Sequence, residues 1–544
     1  MSSVELARTV VATLLAQGVR HAVLAPGSRN APLALALATA EQAGQLSLHV
    51  RLDERSAGFI ALGLARATGG VVVVVTTSGT AVGNLLPAVM EAHHAGVRLL
   101  VLTADRPSSM INSGANQTTR QDRLLSSHAL DCVRVAAQSG GVEDWRHQLR
   151  RAVLLASGLR SRRPGPVQVN LEFEAPLVGP ELLEPVAPAP ALETAAGSPA
   201  QPVELAPGPR TVVIAGDARR EVGNRAVAFA EQAGVPLLAE PSSNARRGPN
   251  AIAAYRLLLS ELADDIERVV VFGHPTLSRS VSALLARQDT KLIMVADGAD
   301  WIDPGHAAAS VVDAVSTPGP GPADWLERWQ QADRKATADL DRALAAAEPG
   351  GSDGEPAGAL SPRLAARTLW SALASAPGGE GLVMLGSSNP VRDAELAPIM
   401  ESGPEVHANR GLAGIDGTIS TGLGLALGSG RPVTVVVGDL TYLHDVSALG
   451  IGDLERRPDL RVVVLDDHGG SIFHGLEQGA EAYAQHFERV FATPQRVDLA
   501  AVASGFGARV VQADTADELA AALATAPRGI EVVIVKVDRS GRRR

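Results

Sequence analysis

The sequence is poor in cysteine, in aromatic residues and in residues of positive charge, and each shortage excludes a class of protein. Cys132 is the single cysteine among 544 residues, which excludes an internal disulfide framework and a metal site built from several cysteines. Aromatic residues make up 3% of the chain, and the tryptophans are scattered rather than grouped in a stripe that could stack on nucleic acid. The net charge of -10 also disfavours a general nucleic-acid binder.

Long apolar runs are absent as well. No run approaches the roughly 18 residues that a membrane-spanning helix needs. Residues 1–6 show neither the basic segment nor the apolar core of a secretory signal. We therefore expect a cytoplasmic protein with no membrane partner.

The remaining composition predicts an α/β protein. Hydrophobic residues make up 46% and charged residues 20%, as in an ordinary globular enzyme, and the length allows three or four domains. Short runs of Val, Ile and Leu alternate with helical patterns, which predicts parallel, doubly wound sheets. We predict domains at 1–180, 209–345 and 363–544, joined by linkers at 181–208 and 346–362 that are rich in Pro, Ala or Gly. The first and third domains have similar strand patterns, so we expect related folds. The predicted strands are 21–24, 49–52, 70–75, 99–102 and 166–172 in the first domain, 211–214, 269–272 and 292–295 in the second, and 382–385, 433–437, 462–465 and 530–537 in the third.

Two apolar runs of the third domain end in acidic turns that contain glycine. The run 433–437 is followed by Gly-Asp-Leu, and the run 462–465 by Asp-Asp-His-Gly-Gly. Asp439 and Asp467 lie 28 residues apart, one strand-helix-strand crossover, so neighbouring parallel strands could bring both carboxylates to one Mg²⁺. The alternative is that each aspartate only caps the helix after its strand.

This pair of turns resembles the cofactor motif of thiamine-diphosphate enzymes, which is Gly-Asp-Gly followed after one crossover by Asn-Asn. The chain departs from it at Leu440, in place of the third Gly, and at Asp466-Asp467, in place of Asn-Asn. Aspartate is a good Mg²⁺ ligand, and Gly-Asp-Leu with a later Gly-Gly-x-Ile-Phe is similar to the MenD family of the menaquinone pathway. The resemblance implies three doubly wound parallel-sheet domains of the thiamine-diphosphate enzyme type, with thiamine diphosphate and Mg²⁺ or Mn²⁺ as cofactors. It implies metal ligands at Asp439, Asp467 and Gly469, and further cofactor contacts at Gly438, Leu440 and Gly470.

Enzymes of this type also need a glutamate from a separate domain. It hydrogen-bonds N1′ of the aminopyrimidine and so lets the 4′-imine remove the thiazolium C2 proton. Glu54, at the end of a predicted strand in the segment 51–58, fits this catalytic role by its context, although a lone glutamate would more often be a surface residue. In the turn after the strand 70–75, the resemblance implies cofactor contacts at Thr77, Ser78 and Gly79.

Several loops of the first and third domains match the substrate loops of this family, and most of them carry an arginine. The matching segments are 25–33, 103–107, 114–118, 386–393 and 409–417. The family's substrates, 2-oxoglutarate and isochorismate, each carry two carboxylates, which arginine binds through a bidentate fork. Ile415 is implied to be an apolar wedge that bends the cofactor, and Gln117 a catalytic residue. For Arg279, in the middle domain, a place on the surface is at least as good an interpretation as a contact with substrate. The residues implied to bind substrate are Ser28, Arg29, Arg106, Asn116, Arg279, Ser388, Arg392, Arg410, Ile472 and Phe473, and Ser388 also faces the cofactor.

The resemblance implies a transferase that decarboxylates 2-oxoglutarate on thiamine diphosphate and adds the succinyl-semialdehyde carbanion equivalent to isochorismate. The superfamily implies a homodimer or homotetramer with sites between subunits. Two alternatives stay open. One is another thiamine-diphosphate decarboxylase or carboligase, similar to acetolactate synthase, and the other is a non-catalytic binding chain of the same fold.

Overall fold

The computed structural model describes residues 2–194, 201–346, 359–374, 381–401 and 403–539. The chain divides into two compact units, which are Met1–Ser198 with Gly411–Arg431 and His444–Leu460, and Pro199–Arg410 with Pro432–Leu443 and Arg461–Arg544. Most of the predicted linker 346–362, and 195–200 within the linker 181–208, lie outside the described residues. The predicted domain boundaries therefore stay a prediction. Within the described ranges, no helix has the length and apolar character needed to cross a membrane.

The first sheet is built entirely from parallel strands. Its elements are α1 (Ser3–Ala16), β1 (His21–Leu24), α2 (Ala31–Gln42), β2 (Ser47–Val50), α3 (Glu54–Thr68), β3 (Val72–Thr76), α4 (Thr80–Asn84), α5 (Leu86–His94), β4 (Leu99–Asp105), β5 (Cys132–Ala136), α6 (Val142–Ser157) and β6 (Val167–Glu172). The strand order is β2-β1-β3-β4-β6-β5, and each neighbouring pair is parallel. The central β3 and β4 are buried at each residue, which explains their continuous apolar sequences.

The middle part of the chain forms a second parallel sheet. Its elements are β7 (Val203–Glu204), β8 (Thr211–Ala215), α7 (Arg220–Ala233), β9 (Leu237–Ala239), α8 (Tyr255–Leu262), β10 (Arg268–Phe272), α9 (Arg279–Leu285), β11 (Lys291–Val295), β12 (Ala308–Val312), β13 (Val315–Ser316) and α10 (Ala323–Ala346). The order is β12-β11-β10-β8-β9, and β7 pairs separately with β13. Apolar side chains cover both faces of this sheet, as parallel sheets require.

The third sheet repeats the strand order of the first. In chain order, the helices and strands of this part of the sequence are α11 (Pro362–Ala374), β14 (Leu382–Leu385), α12 (Asn389–Ala394), β15 (Glu405–Ala408), α13 (Thr418–Ser429), β16 (Val433–Gly438), α14 (Asp439–His444), β17 (Leu460–Asp466), α15 (Ala484–Phe487), α16 (Leu499–Gly505), β18 (Arg509–Ala513), α17 (Ala516–Leu523) and β19 (Ile530–Lys536). The order is β15-β14-β16-β17-β19-β18. Numbered from its own first strand, each of the two six-stranded sheets reads 2-1-3-4-6-5, so the predicted relation between the two folds is confirmed.

The central strands were predicted to within three residues at each end, and the strands that the prediction missed all lie at sheet edges. The strand predicted at 49–52 is observed two residues earlier, as β2. Five further strands of the three sheets were not predicted, namely β5, β9, β12, β15 and β18, and each of them is an edge strand. An edge strand is less fully covered than a central one and tolerates polar residues, so most of these strands lack a continuous apolar run.

Helices α3 and α13 cross through glycines within the first unit. A Cβ on Gly63 would lie 2.1 Å from the Thr421 carbonyl oxygen, and a Cβ on Gly424 would lie 2.2 Å from the Ile60 carbonyl oxygen. Only glycine permits such an approach of two backbones. The crossing holds α3, whose first residue is Glu54, against α13.

Replacing Gly63 with Ala is expected to destabilise the protein by about 1–3 kcal/mol, because the added methyl group forces α3 away from α13. A lower Tm in thermal unfolding checks this. The matched control is Gly505→Ala in α16, where nothing lies within 4 Å of the added Cβ, so the Tm should stay the same or rise slightly. An equal Tm for the two variants would contradict the close crossing.

Candidate functional site

The third sheet brings two aspartates to one edge. Strands β16 and β17 are neighbours, Asp439 begins α14 directly after β16, and Asp467 follows the last residue of β17. Both residues are buried. The Asp439 carboxylate accepts hydrogen bonds from the N–H groups of Leu440, at 2.9 Å, and of Gly469. The contact with Gly469 joins the two turns, and helix capping alone does not require such a contact.

The electrostatics of this acidic edge suit a cation. Burial and then the neighbouring Asp467 and Asp466 carboxylates raise the pKa of Asp439 to about 7. A divalent cation would offset this repulsion, so the side chains present fit such an ion. The Ser471 hydroxyl donates to Asp467 and accepts from the Asn389 amide at 2.6 Å, which orients the carboxylate. Among the described residues, no group of three or more His, Cys, Asp and Glu side chains could hold a metal, so an ion here depends on other oxygens as well.

Tight packing accounts for the two glycines that follow Asp467. Gly469 has φ +126°, and a Cβ there would lie 2.4 Å from the Ala492 carbonyl oxygen. The N–H of Gly470 donates to the same oxygen at 2.7 Å. The motif alone does not reveal this contact. The metal-binding role of Gly469 and the cofactor contacts of Gly438, Leu440 and Gly470 stay predictions.

Other predicted site residues of the second unit lie on turns and helix starts. Ser388 precedes α12 with φ +76°, a conformation that costs a non-glycine residue about 1–3 kcal/mol and is concentrated at functional sites. Ile472 and Phe473 lie in a 3-10 turn, and the Phe473 ring is 5.9 Å from that of Phe491. Arg279 begins α9 and is largely exposed, with an ion pair to Glu477 at 3.3 Å.

Arg392 and Arg410 form an electropositive group in the second unit. Arg410 donates to the Thr276 hydroxyl from Nε at 2.9 Å and from Nη2 at 2.7 Å. Arg392 donates to the Leu277 carbonyl oxygen at 3.1 Å. Burial lowers the pKa of Arg392; the Glu395 carboxylate opposes this shift, and the neighbouring Arg410 adds to it. Two partly desolvated guanidinium groups that repel each other favour a bound anion.

Arg29 and Arg106 form a second electropositive group, in the first unit. Arg106 Nη1 donates to the Ser78 hydroxyl and to the Gln117 carbonyl oxygen, both at 2.8 Å. Arg29 donates to the Phe173 carbonyl oxygen at 2.9 Å. Burial and then the charge of Arg106 lower the pKa of Arg29. Four predicted residues, Arg29, Ser78, Arg106 and Gln117, are thus brought together.

The remaining predicted residues of this group lie in the adjoining turns. Gly79 has φ +82°, and a Cβ on Gly27 would lie 2.4 Å from the Thr77 Cβ, so the turn after β1 packs against the turn after β3. Ser28, in the turn after β1, and Asn116, in the segment between β4 and β5, are exposed. Such exposure leaves both side chains accessible to a ligand.

Glu54 is the first residue of α3, which corrects its predicted place at the end of a strand. The strand ends earlier, at Val50, and Asp53 caps the helix by accepting a hydrogen bond from the Arg55 N–H at 2.9 Å. A carboxylate in the first helical turn is favoured by the helix dipole. The Asn84 amide donates to Glu54 Oε2 at 3.4 Å.

Sequence reasoning missed the buried glutamates that hold the site loops. Glu91, within α5, accepts hydrogen bonds from the N–H groups of Gly411 at 2.9 Å and Leu412 at 2.8 Å, and so fixes the loop that carries Ile415. Glu240 accepts hydrogen bonds from two consecutive backbone N–H groups of another turn through a single oxygen. Neither has a local sequence signal, because the partners are distant along the chain.

Comparisons with known proteins point to one activity. Residues 4–125 match the N-terminal TPP binding domain of thiamine pyrophosphate enzymes, and residues 393–537 match the C-terminal TPP binding domain. The chain is 45% identical to a protein of Arthrobacter sp. (strain FB24), over 100% of this chain and 91% of the relative. It is 48% identical to a protein of Kineococcus radiotolerans, over 98% and 95%, and 41% identical to one of Mycobacterium avium, over 99% and 97%. All three relatives are named 2-succinyl-5-enolpyruvyl-6-hydroxy-3-cyclohexene-1-carboxylate synthase.

Proposed function

Because this chain belongs to the family of 2-succinyl-5-enolpyruvyl-6-hydroxy-3-cyclohexene-1-carboxylate synthases, we propose that it catalyses the reaction of that family. It is a transferase of menaquinone biosynthesis that releases CO2 from 2-oxoglutarate and adds the remaining four-carbon unit to isochorismate. Its two thiamine pyrophosphate domains make thiamine diphosphate the cofactor. The observation that carries the proposal is the combination, in one chain, of an acidic turn suited to a metal-bound diphosphate with two arginine groups suited to dicarboxylates.

We infer that Mg²⁺, or Mn²⁺ in its place, accompanies the diphosphate at Asp439 and Asp467. The support is the mutual repulsion of buried carboxylates at this edge, which a divalent cation would relieve. Two carboxylates leave most of the octahedral positions of Mg²⁺ to other oxygens, for which the Gly469 carbonyl and the diphosphate are suited.

The residues of the chain bind and orient the reacting groups. When bound, thiamine diphosphate supplies a nucleophilic carbon and an electron sink. Glu54 would hydrogen-bond N1′ of the aminopyrimidine and so control the proton on its 4′-amino group. Ile415 would supply an apolar contact to the cofactor from the loop that Glu91 holds.

The two arginine groups would bind the substrate carboxylates. Arg29 and Arg106 in the first unit, with Arg392 and Arg410 in the second, provide rigid forks for carboxylates. Partial burial strengthens such contacts, since the local dielectric is lower than that of water. The other residues proposed to contact substrate are Ser28, Asn116, Gln117, Arg279, Ser388, Ile472 and Phe473.

We also infer a homodimer or homotetramer with sites between subunits. Glu455 accepts hydrogen bonds from the Val50 N–H at 2.9 Å and from Arg51 at 3.0 Å, which brings Leu52 and Leu454 onto neighbouring segments. The two residues are 86% and 101% exposed. Such exposed leucines, on two segments that Glu455 joins, are suited to burial against a second copy of the chain.

An assay with both substrates tests the activity. With thiamine diphosphate and Mg²⁺ present, the purified protein should consume isochorismate and release an equal amount of CO2 from 2-oxoglutarate. Pyruvate in place of 2-oxoglutarate is the control for an acetolactate synthase-like enzyme. Conversion of pyruvate without consumption of isochorismate would support that alternative, and no turnover at all would support the non-catalytic chain.

A further inference from the structure

Glu240 is a buried acidic residue that has not been assigned any contact with substrate or cofactor. It follows β9 in the second sheet and is 2% exposed. Removing a carboxylate from water is costly unless its oxygens find donors. Its hydrogen-bond partners therefore indicate what the residue does.

The carboxylate of Glu240 holds one turn. Its Oε1 accepts hydrogen bonds from the N–H groups of Thr276 and Leu277, both at 2.9 Å. These two residues lie between the end of β10 and the start of α9. A single oxygen thus fixes two consecutive peptide units of the turn.

The same turn holds the two arginines of the second unit. The Thr276 hydroxyl accepts from Arg410 at 2.9 and 2.7 Å, and its carbonyl oxygen accepts from Arg410 at 3.3 Å. The Leu277 carbonyl oxygen accepts from Arg392 at 3.1 Å. The turn therefore presents its N–H groups to Glu240 and its oxygens to the arginines. Glu240 reaches both guanidinium groups through this turn.

The charge state of Glu240 indicates which variant is conservative. Burial raises its pKa to about 8; the Leu277 and Thr276 N–H groups and the Arg410 charge favour the ionised form, whereas the Glu395 charge opposes it. Burial thus favours the protonated, neutral form of the carboxyl group. Glutamine at this position reproduces both the shape and the neutral charge of that group, and it keeps an oxygen that accepts the two N–H groups.

We propose that Glu240 is a positioning residue for the binding of substrate dicarboxylates, because it holds the turn that orients Arg392 and Arg410. The inference rests on the proposed function, since it takes these arginines as substrate-binding groups. A merely structural residue would affect stability and all kinetic parameters together. A positioning residue should instead act on the substrate KM.

Steady-state kinetics of Glu240→Ala and Glu240→Gln test the proposal. Glu240→Ala should raise the KM of at least one of 2-oxoglutarate and isochorismate by about tenfold or more, because the two guanidinium groups would no longer be held in place for the substrate carboxylates. A tenfold change corresponds to about 1.4 kcal/mol of binding free energy. Its kcat and its affinity for thiamine diphosphate should change by less than about threefold, a much smaller loss on the same scale. Glu240→Gln should restore the KM to within about threefold of the wild-type value.

Glu531→Gln is the matched control. Glu531 is a buried glutamate near the amino end of β19, and it is paired with Arg461 and Arg509. Weakening this buried pair should lower the Tm without changing either KM. A KM that rises in Glu531→Gln as much as in Glu240→Ala would assign the effect to general destabilisation and overturn the proposal.

Thr276→Val gives a second, independent variant if Glu240→Ala does not fold. It removes the hydroxyl that accepts from Arg410, so the same KM should rise, and Thr276→Ser should restore it. The effects of Thr276→Val and Glu240→Ala should not add, because both act on one turn. If the wild-type protein is active and both variants keep its KM values, the role of Glu240 is overturned but the proposed function is not. Inactive wild-type protein would overturn the proposed function and this role with it.

Discussion

Replacing Glu54 with Gln is expected to lower kcat by about 10²–10⁴-fold, the range that general acid–base catalysis contributes, while cofactor binding is retained. The amide has the size of the carboxylate and would still hydrogen-bond to N1′ of the aminopyrimidine, but it carries no negative charge and could not exchange a proton with that nitrogen. The measurement is the rate of isochorismate consumption at saturating substrates and cofactor. Cofactor affinity is measured separately, by tryptophan fluorescence.

Glu5→Gln is the matched control for the Glu54 variant. Glu5 also lies in the first turn of a helix and is exposed. Its replacement therefore removes the same favourable interaction between a carboxylate and the helix dipole, but it should leave kcat within about twofold. A Glu54→Gln variant that retains most of its kcat would contradict the catalytic role. Loss of cofactor binding in that variant would assign Glu54 to binding instead.

Replacing Asp439 with Asn is expected to weaken Mg²⁺-dependent binding of thiamine diphosphate by about 100-fold or more, because a direct metal ligand should matter at least as much as the groups that orient it. The apo-protein should respond in the opposite direction. Without metal, the Asp439→Asn substitution removes a buried carboxylate that Asp467 and Asp466 repel, so the Tm in the presence of EDTA should stay the same or rise. Titration calorimetry with and without Mg²⁺ measures the first effect, and thermal unfolding in EDTA the second.

Asp498→Asn is the matched control for the Asp439 variant. Asp498 caps α16 by accepting from the Ala501 N–H at 2.9 Å, and asparagine can serve as the same cap. The control should bind metal and cofactor as the wild-type protein does. An Asp439→Asn variant that binds the cofactor normally would show that the aspartate is a helix cap rather than a metal ligand.

The predicted strands succeed and fail according to their place in the sheet. The central β3, β4, β16 and β17 are covered on both faces, so hydrophobicity selects each of their residues and the strand is visible as an apolar run. Edge strands have no such mark. β18 contains Arg509 and Gln512 and is largely half-buried or exposed, so only its pairing with β19 identifies it as a strand.

A similar division applies to the site. Asp439 and Asp467 are separated by one crossover, and the spacing predicts their meeting because adjacent parallel strands end at one edge. The arginines could be assigned to loops by resemblance, but not to partners. Arg410 pairs with Thr276, 134 residues away, and no periodicity carries that information.

The sequence by itself determined the class of fold, the two acidic turns at neighbouring strand ends and the loops that carry the arginines. These features depend on local patterns, in which burial on both faces and strand-end chemistry leave a mark along the chain. Only the tertiary structure decided that Glu54 begins a helix rather than ending a strand, and that Glu91 and Glu240 hold the site loops. Helix boundaries depend on caps, and a buried carboxylate is defined by donors that folding brings from distant segments.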